Sequence, residues 1–503
     1  MTLLDNLLAL WESSMDAFPQ WRTARRARRL GLGLLGCLGR HTLTGVICAT
    51  GCQDNDWSAD YRVFSQSPWS QSDLFAPVVQ GILDRLGPGV PFVAALDDTR
   101  LPKTGPKIPG VSYVRDPLSP AFHTNLIRAQ RFVQVSGILR EGETAAPGRS
   151  IPIRFHQAPA VAKPKHAAGP EVWKAYRAQR RQDNLSTRGV ALLRELRQDL
   201  DTRQAADRPL IVSVDGSYTN KTVLRNQPER TTLIGRIRKD AKLFYPPPPP
   251  QPDGQTGRPR RYGPAAPTPE QLRQDINVPW REIEAFAAGK VHRFRVKLIG
   301  PVLWPKAGPD HPFQVMVIAP LGYRPRKGSK LLYRQPAYLI CLDPTMPAQT
   351  FLQYYLWHWG IEVNQRDEKQ IVGVGEAQVR SPLSADRQPA FGVASYAMLL
   401  LAGIQTFGLT STAAVSVLPK WRAGQAPSQP STQDFLQRFR SEVWADALDA
   451  ATRADEARET FGHFATTDPA DTKSEKLAMP PADAKSEKLA MPLAAAILHC
   501  RTG

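Results

Sequence analysis

Two short, mostly apolar runs that each stop at an acid constrain this chain most: Val93-Ala-Ala-Leu96 before Asp97, and Leu210-Ile-Val-Ser-Val214 before Asp215. Runs of this length and composition are strands buried on both faces, and such strands need a covering layer on each side. Phe132–Val135 and Ile151–Phe155 read as neighbouring strands, and Val190–Leu200 as a helix with Ser186 or Thr187 as its N-cap. Strand, helix, strand in that order predicts an α/β core. A chain of 503 residues is too long for one ordinary core and is expected to hold two to four units of about 100 to 200 residues each.

The segments around these strands divide the chain further. Residues 1–90 show helical spacing and form a helical N-terminal domain, with Arg22, Arg25, Arg26, Arg28 and Arg29 ahead of the glycine-rich apolar run Leu30–Leu38 as a possible DNA-end contact. Residues 91–235 form the first part of the core. Residues 236–334 interrupt it as an inserted β-rich subdomain: a proline-rich loop from Pro246, then strand-like runs Val291–Ile299 and Val315–Ala319. Alternating Arg293, Arg295 and Lys297 predict one basic sheet face there. Residues 335–410 return to the core, 411–465 form a C-terminal helical region opened by a Ser431-x-x-Asp434 cap, and 466–503 form a disordered tail. That tail repeats Lys-Ser-Glu-Lys-Leu-Ala-Met-Pro at 473–480 and 485–492.

Lys and Arg exceed Asp and Glu by 19, a surplus that points to a polyanionic partner, above all nucleic acid. It disfavours a carboxylate hydrolase of sugars or small phosphates, which needs two acids and no such field. The five cysteines are scattered, without Cys-x-x-Cys or zinc-finger spacing, as in a protein of the reducing cytoplasm. Asp5 and Glu12 precede any basic cluster, the wrong order for a secretory signal. The most apolar stretch, Phe391–Leu401, is read as a buried core helix too short to span a bilayer.

Tyr355, His358, Glu362 and Lys369 are spaced to form one stripe on a single helix, within an arc of about 60°. Asp367 and Glu368 project away from Glu362, which leaves Glu362 as the acid able to converge with Asp97 and Asp215. Hydrolysis or transfer of phosphodiesters needs divalent cations, typically two about 3.5–4 Å apart, and hard cations need converging oxygen ligands. Lys369 and His358 are placed to hold phosphates, Tyr355 to donate a hydrogen bond, and Arg366 lies near the same stripe.

The spacing Tyr355-x2-His358-x3-Glu362-x6-Lys369 resembles the Tyr-x2-Arg-x3-Glu-x6-Lys signature of a large branch of bacterial insertion-sequence DDE transposases. Asp97-Asp98-Thr99, with Lys103 after it, resembles the first acidic motif of that family, and Val214-Asp215-Gly216-Ser217 the second. The first ligand is Asp97 or Asp98. Asp97 is preferred because a hydroxyl then follows two residues on, as Ser217 follows Asp215. The resemblance implies a ribonuclease-H-like mixed sheet flanked by helices, two Mg2+ ions (Mn2+ able to substitute) on Asp97, Asp215 and Glu362, and cut-and-paste transposition of duplex DNA by a homodimer on the terminal inverted repeats. It also implies that the insertion holds a flipped base on an aromatic, for which Trp304 is the candidate, and that Lys103 lies near DNA. His358 departs from the pattern, since imidazole lacks the guanidinium fork. A transposase-derived DNA-binding protein without cleavage is the alternative.

Overall fold

The computed structural model describes residues 1–464 other than 106, 117, 118, 121, 124, 204, 249–259, 325–327, 414, 416–419 and 421–426, and leaves the side chains of 451 and 453–464 aside. The repeat-bearing tail and most of the proline-rich loop lie outside the described residues. Five helices come first: α1 (Leu3–Ser13), α2 (Trp21–Gly36), α3 (Leu43–Ala49), α4 (Ser58–Ser65) and α5 (Gln71–Leu83). The Gly-rich half of α2 is a packing device. A Cβ on Gly31 would lie 2.0 Å from Cζ2 of the buried Trp11 on α1, so only glycine allows the two helices this approach.

Strands β1 (Phe92–Pro102), β2 (Val111–Arg115), β3 (Leu126–Arg140) and β4 (Gly148–Gln157) follow, then α6 (Pro170–Gln182) and α7 (Leu185–Thr202). The cap of α7 is Asn184, which accepts from the backbone N–H groups of Ser186 and Thr187. Thr187 closes the box from the third helical position rather than opening the helix itself. Next come β5 (Leu210–Val214), α8 (Lys221–Arg225) and β6 (Thr231–Arg236). β1 runs antiparallel to β3 and parallel to β5, and β5 parallel to β6.

The insertion contains β7 (Leu243–Phe244), β8 (Ala265–Ala266), α9 (Pro269–Gln274), β9 (Arg281–Ala287), β10 (Lys290–Val302), β11 (Phe313–Ile318), β12 (Gly322–Tyr323) and β13 (Leu332–Tyr333), and β14 (Ala337–Cys341) follows it. The two expected long runs fall in β10 and β11. Instead of building a sheet of their own, they extend the central one, whose order is β2-β3-β1-β5-β6-β14-β11-β10-β9 with β4 also on β3. The basic face expected on β10 is partly an interior one. Lys297 is buried, donates to the carbonyls of Leu272 and Arg273, and stands over Trp280, while Arg293 pairs with Glu284.

Among the described residues, four helices follow: α10 (Ala348–Leu356), α11 (Trp359–Gln370), α12 (Pro382–Phe407) and α13 (Thr432–Phe464). The stripe is therefore split. α10 ends at Leu356, a tight turn carries Trp357 and His358, and α11 begins at Trp359. α12 is longer than the apolar run suggested. By length and composition it could cross a membrane, but 83% of its most apolar window is buried in this fold, packed on α1, α5 and β4. Among the described residues no other helix passes that test.

The sheet separates two apolar layers. Val93, Ala95 and Ile211 pack with Tyr354, Trp357 and Ile361 of the α10–α11 region. Ala94, Leu96 and Val214 pack on the other side with α7 and the N-terminal helices. This is a mixed α/β architecture consistent with a ribonuclease-H-like fold. Gly31→Ala gains about 1 kcal/mol of helix propensity and loses about 1–3 kcal/mol to overpacking against Trp11. Because the ring is buried and cannot swing aside, a net loss of up to about 2 kcal/mol is expected as a lower urea midpoint.

Candidate active site

Pleating decides which acids meet. Successive strand residues point to opposite faces, so Asp97 shares the face of Val93 and Ala95, and Asp215 that of Ile211 and Ser213. This is the α10–α11 face. β1 and β5 are in register with Leu96 opposite Val214, so Asp97 and Asp215 leave adjacent parallel strands at one level, about 4.8 Å apart by backbone spacing. α11 packs on β1 and β4 and brings Glu362 over this edge.

Electrostatics shows the three acids as neighbours. Burial first, and then the charges of Asp98, Asp215 and Glu362, push Asp97 up to about 7, against one lowering contact from the Asp98 N–H at 2.8 Å. Glu362 is also raised, by burial and by Asp215. Among the described residues none of the three has an ion-pair partner, whereas Asp98, on the opposite face, sits 3.4 Å from Arg131 and 3.9 Å from Arg100. No three His, Cys, Asp or Glu groups among the described residues lie close enough to hold a metal ion by themselves. The donor set nevertheless suits a hard divalent cation: all oxygen, anionic, gathered at one edge, with a mutual repulsion that such an ion would cancel.

The other expected site residues are placed unevenly. Lys369 donates to Thr99 Oγ1 at 3.2 Å, two residues along β1 from Asp97 on the same face, with its pKa lowered chiefly by burial. Tyr355 is half-buried on α10, its ring stacked 6.3 Å from His358, and burial pushes its hydroxyl up to about 12. His358 is buried, with Nδ1 3.2 Å from the Ser213 carbonyl, and burial lowers its pKa. A carbonyl only accepts, so Nδ1 carries the proton and the neutral ring ties the α10–α11 turn to β5. Arg366 is exposed and held by Asp367 at 2.8 Å.

Lys103 turns inward, with Nζ on the carbonyls of Gly375 at 2.6 Å and Ala377 at 2.7 Å, and burial lowers it to about 8. That position differs from the expected place beside DNA. Trp304 is buried in the wall of a cavity of about 500 Å³ that Phe244, Arg238, Lys242 and Lys306 also line. The sequence did not single out Arg236, which is exposed at the end of β6. β5–β6 register sets it beside Asp215 on the same face, and its charge reaches Tyr355. The available signal was that Thr231–Arg236 is a third parallel strand ending at the same edge.

Two acids at the ends of adjacent parallel strands and a third on the covering helix thus lie at one edge of a sheet consistent with a ribonuclease-H-like fold. The sequence matches the family model described as DDE superfamily endonuclease over residues 15–295, more than half of the chain, and the protein belongs to that family. The match takes in Asp97 and Asp215 and ends before α11. No curated protein matches the chain. Family membership makes this a nuclease or transposase type of enzyme with DNA as substrate, and DDE-type endonucleases generally use divalent metals.

Two buried groups set opposite pH trends. Glu368, fully buried beside Gln134, is raised by burial to about 8. Its folded pKa lies above the unfolded value, so its stability contribution is complete below about 4.5 and is lost as pH rises towards 8. Glu368→Gln keeps the neutral form and the Gln134 contact. The variant is expected to melt like wild type near pH 4.5 and to be more stable by on the order of 3 kcal/mol at pH 7. His358 is lowered, so its contribution is present above about 6.5 and falls as the pH drops below that value. Replacing His358 by a neutral residue should flatten the acid limb in thermal melts. For Lys103→Ala, a lower melting temperature with unchanged salt-dependent DNA binding is expected; weakened binding at unchanged stability would return Lys103 to the DNA surface.

Proposed function

We propose that this protein is a DDE transposase of an insertion sequence, which cuts the DNA strand at the element's ends and joins the freed 3′-hydroxyl to a target. The observation that carries this is that Asp97 and Asp215 lie side by side on the α11 face, with Glu362 near enough to act on Asp97 and with no ion pair to any of the three among the described residues. In this reading the three carboxylates hold divalent cations, Mg2+ or Mn2+. When bound, these activate the attacking oxygen and stabilise charge on the leaving one.

The protein's own groups position the substrate. Lys369, fixed by Thr99, supplies positive charge beside Asp97. Tyr355 donates its phenolic hydrogen, since at about 12 its pKa keeps it protonated. Arg236, and Arg366 once released from Asp367, take phosphate oxygens. His358 acts through Ser213, fixing the strand that presents Asp215; where the insertion-sequence branch that this spacing resembles carries arginine, this chain has a buried, neutral tie. Trp21 with Arg22 and Arg25, whose guanidinium groups lie 5.7 and 5.5 Å from its ring, is the exposed part of the N-terminal basic cluster and the part free to meet DNA ends. Arg26, Arg28 and Arg29 are engaged by Asp60 and Glu12. The cavity at Trp304 is where a base displaced from the duplex is held. The working assembly is a homodimer on paired inverted repeats at the bacterial nucleoid.

Purified protein with Mg2+ is expected to nick duplex DNA carrying the inverted repeats that flank its gene. Asp97→Ala, Asp215→Ala and Glu362→Ala should each abolish nicking and leave binding to those ends intact in a gel shift. Equal cutting by wild type and all three variants would sink the site assignment. Retained binding without wild-type cleavage would favour a DNA-binding derivative of the family instead.

A further inference from the structure

Helix α6 has no buried residue along its 13 positions. A helix of that length is marginal on its own, and only Trp173 and Tyr176 are partly covered, packed edge to face with centroids 5.8 Å apart. From 163 to 182 the chain carries six basic residues (Lys163, Lys165, Lys174, Arg177, Arg180 and Arg181) against one acidic, Glu171. Unlike the arginines on the inner side of α2, Arg177, Arg180 and Arg181 form no ion pair among the described residues. The one pair on the helix, Lys174 to Glu171 at 3.8 Å, is fully in solvent, where such contacts hold little. Lys163 lies 5.9 Å from the ring of Trp173, which ties the preceding segment to the helix. The next acid, Asp183, is neutralised by Arg188 at 2.6 Å.

Position gives this surface a purpose. A cavity of about 500 Å³ is lined by Ser217 and Tyr218, in the turn that follows Asp215, by Tyr176 and Arg180 of α6, and by Arg131 and Arg188. The surface therefore starts two residues past Asp215, on the side of the sheet that holds Asp98, and leads away from there under positive charge. We propose that α6, with the segment 158–169 before it, is a grip for the phosphate backbone of the DNA next to the cut. The grip rests on the transposase reading above. It is separate from the carboxylates and from the N-terminal arginines. Charge complementarity selects the occupant, because a helix that buries nothing, keeps its arginines unpaired and lies beside the turn that follows Asp215 offers little to an apolar partner. Contacts of this kind read backbone and not bases, so the grip is indifferent to sequence.

The test uses the full chain in EDTA with a fluorescent random-sequence duplex, titrated with salt. Combined replacement of Lys174, Arg177, Arg180 and Arg181 by Ala should weaken binding about tenfold or more at low salt. It should also make the slope of log affinity against log salt shallower by about 2 or more, since each phosphate contact contributes close to 0.9. The melting temperature should not move, because no side chain of α6 is buried. A companion variant with Arg177, Arg180 and Arg181 replaced by Lys keeps the charge and should keep the slope. A folded alanine variant with wild-type affinity and slope overturns the grip and leaves the carboxylate assignment standing. Wild type that binds no duplex at low salt overturns both.

Discussion

Parallel pairing of β1 with β5 is the constraint on which the rest depends. With Leu96 opposite Val214, the pleat sends Asp97 and Asp215 to one face and Asp98 to the other. A shift of one residue in either strand would exchange the faces of all its side chains. Such a slip would bury one acid under α7 and break both apolar layers at once. The same alternation that packs Val93 and Ala95 against Tyr354 and Trp357 therefore fixes where the acids lie. Packing and the placement of the acids are specified by a single register.

Charge works on two levels in this protein. The surplus of 19 positive charges supplies a long-range field, yet much of the basic content is used inside the fold. Lys103 and Lys297 serve as buried donors to backbone carbonyls. Arg154 ties β4 to α7 through Asp199, Arg197 donates from α7 to the carbonyls of Ala205 and Arg208, and Asp60 holds two arginines of α2. The carboxylate edge has the opposite character: it is negative and lacks ion pairs among the described residues, and burial, with Asp215 adding to it, raises Asp97 and Glu362. Net charge forecasts a polyanionic partner, but only the distribution separates the residues left to meet it, such as those of α6, from those already engaged.

Much of the fold was legible because apolar runs and turn residues act locally. The strands at Val93, Phe132, Ile151, Leu210, Val291, Val315 and Tyr338 lie where alternation and burial place them, and Ser431 with Asp434 forms the reciprocal cap before α13. The break at Trp357 and His358 was not legible. Periodicity over Tyr355 to Lys369 fits one helix as well as two, and the choice is made by long-range contacts: Trp357 Nε1 to the Ala146 carbonyl and His358 to Ser213. Nor could spacing show that the strands of the insertion would join the central sheet, since that requires β14 to pair with β6 far back along the chain.

By itself the sequence determined the apolar strands, the acids at their ends and the excess of positive charge, because each follows from residues close together in the chain. Tertiary structure alone set Asp97 and Asp98 on opposite faces, turned Lys103 inward, made His358 a buried tie and set Arg236 beside Asp215. These outcomes depend on strand register and on partners up to some 270 positions away, as from Lys103 to Ala377. A local pattern carries no record of such distances.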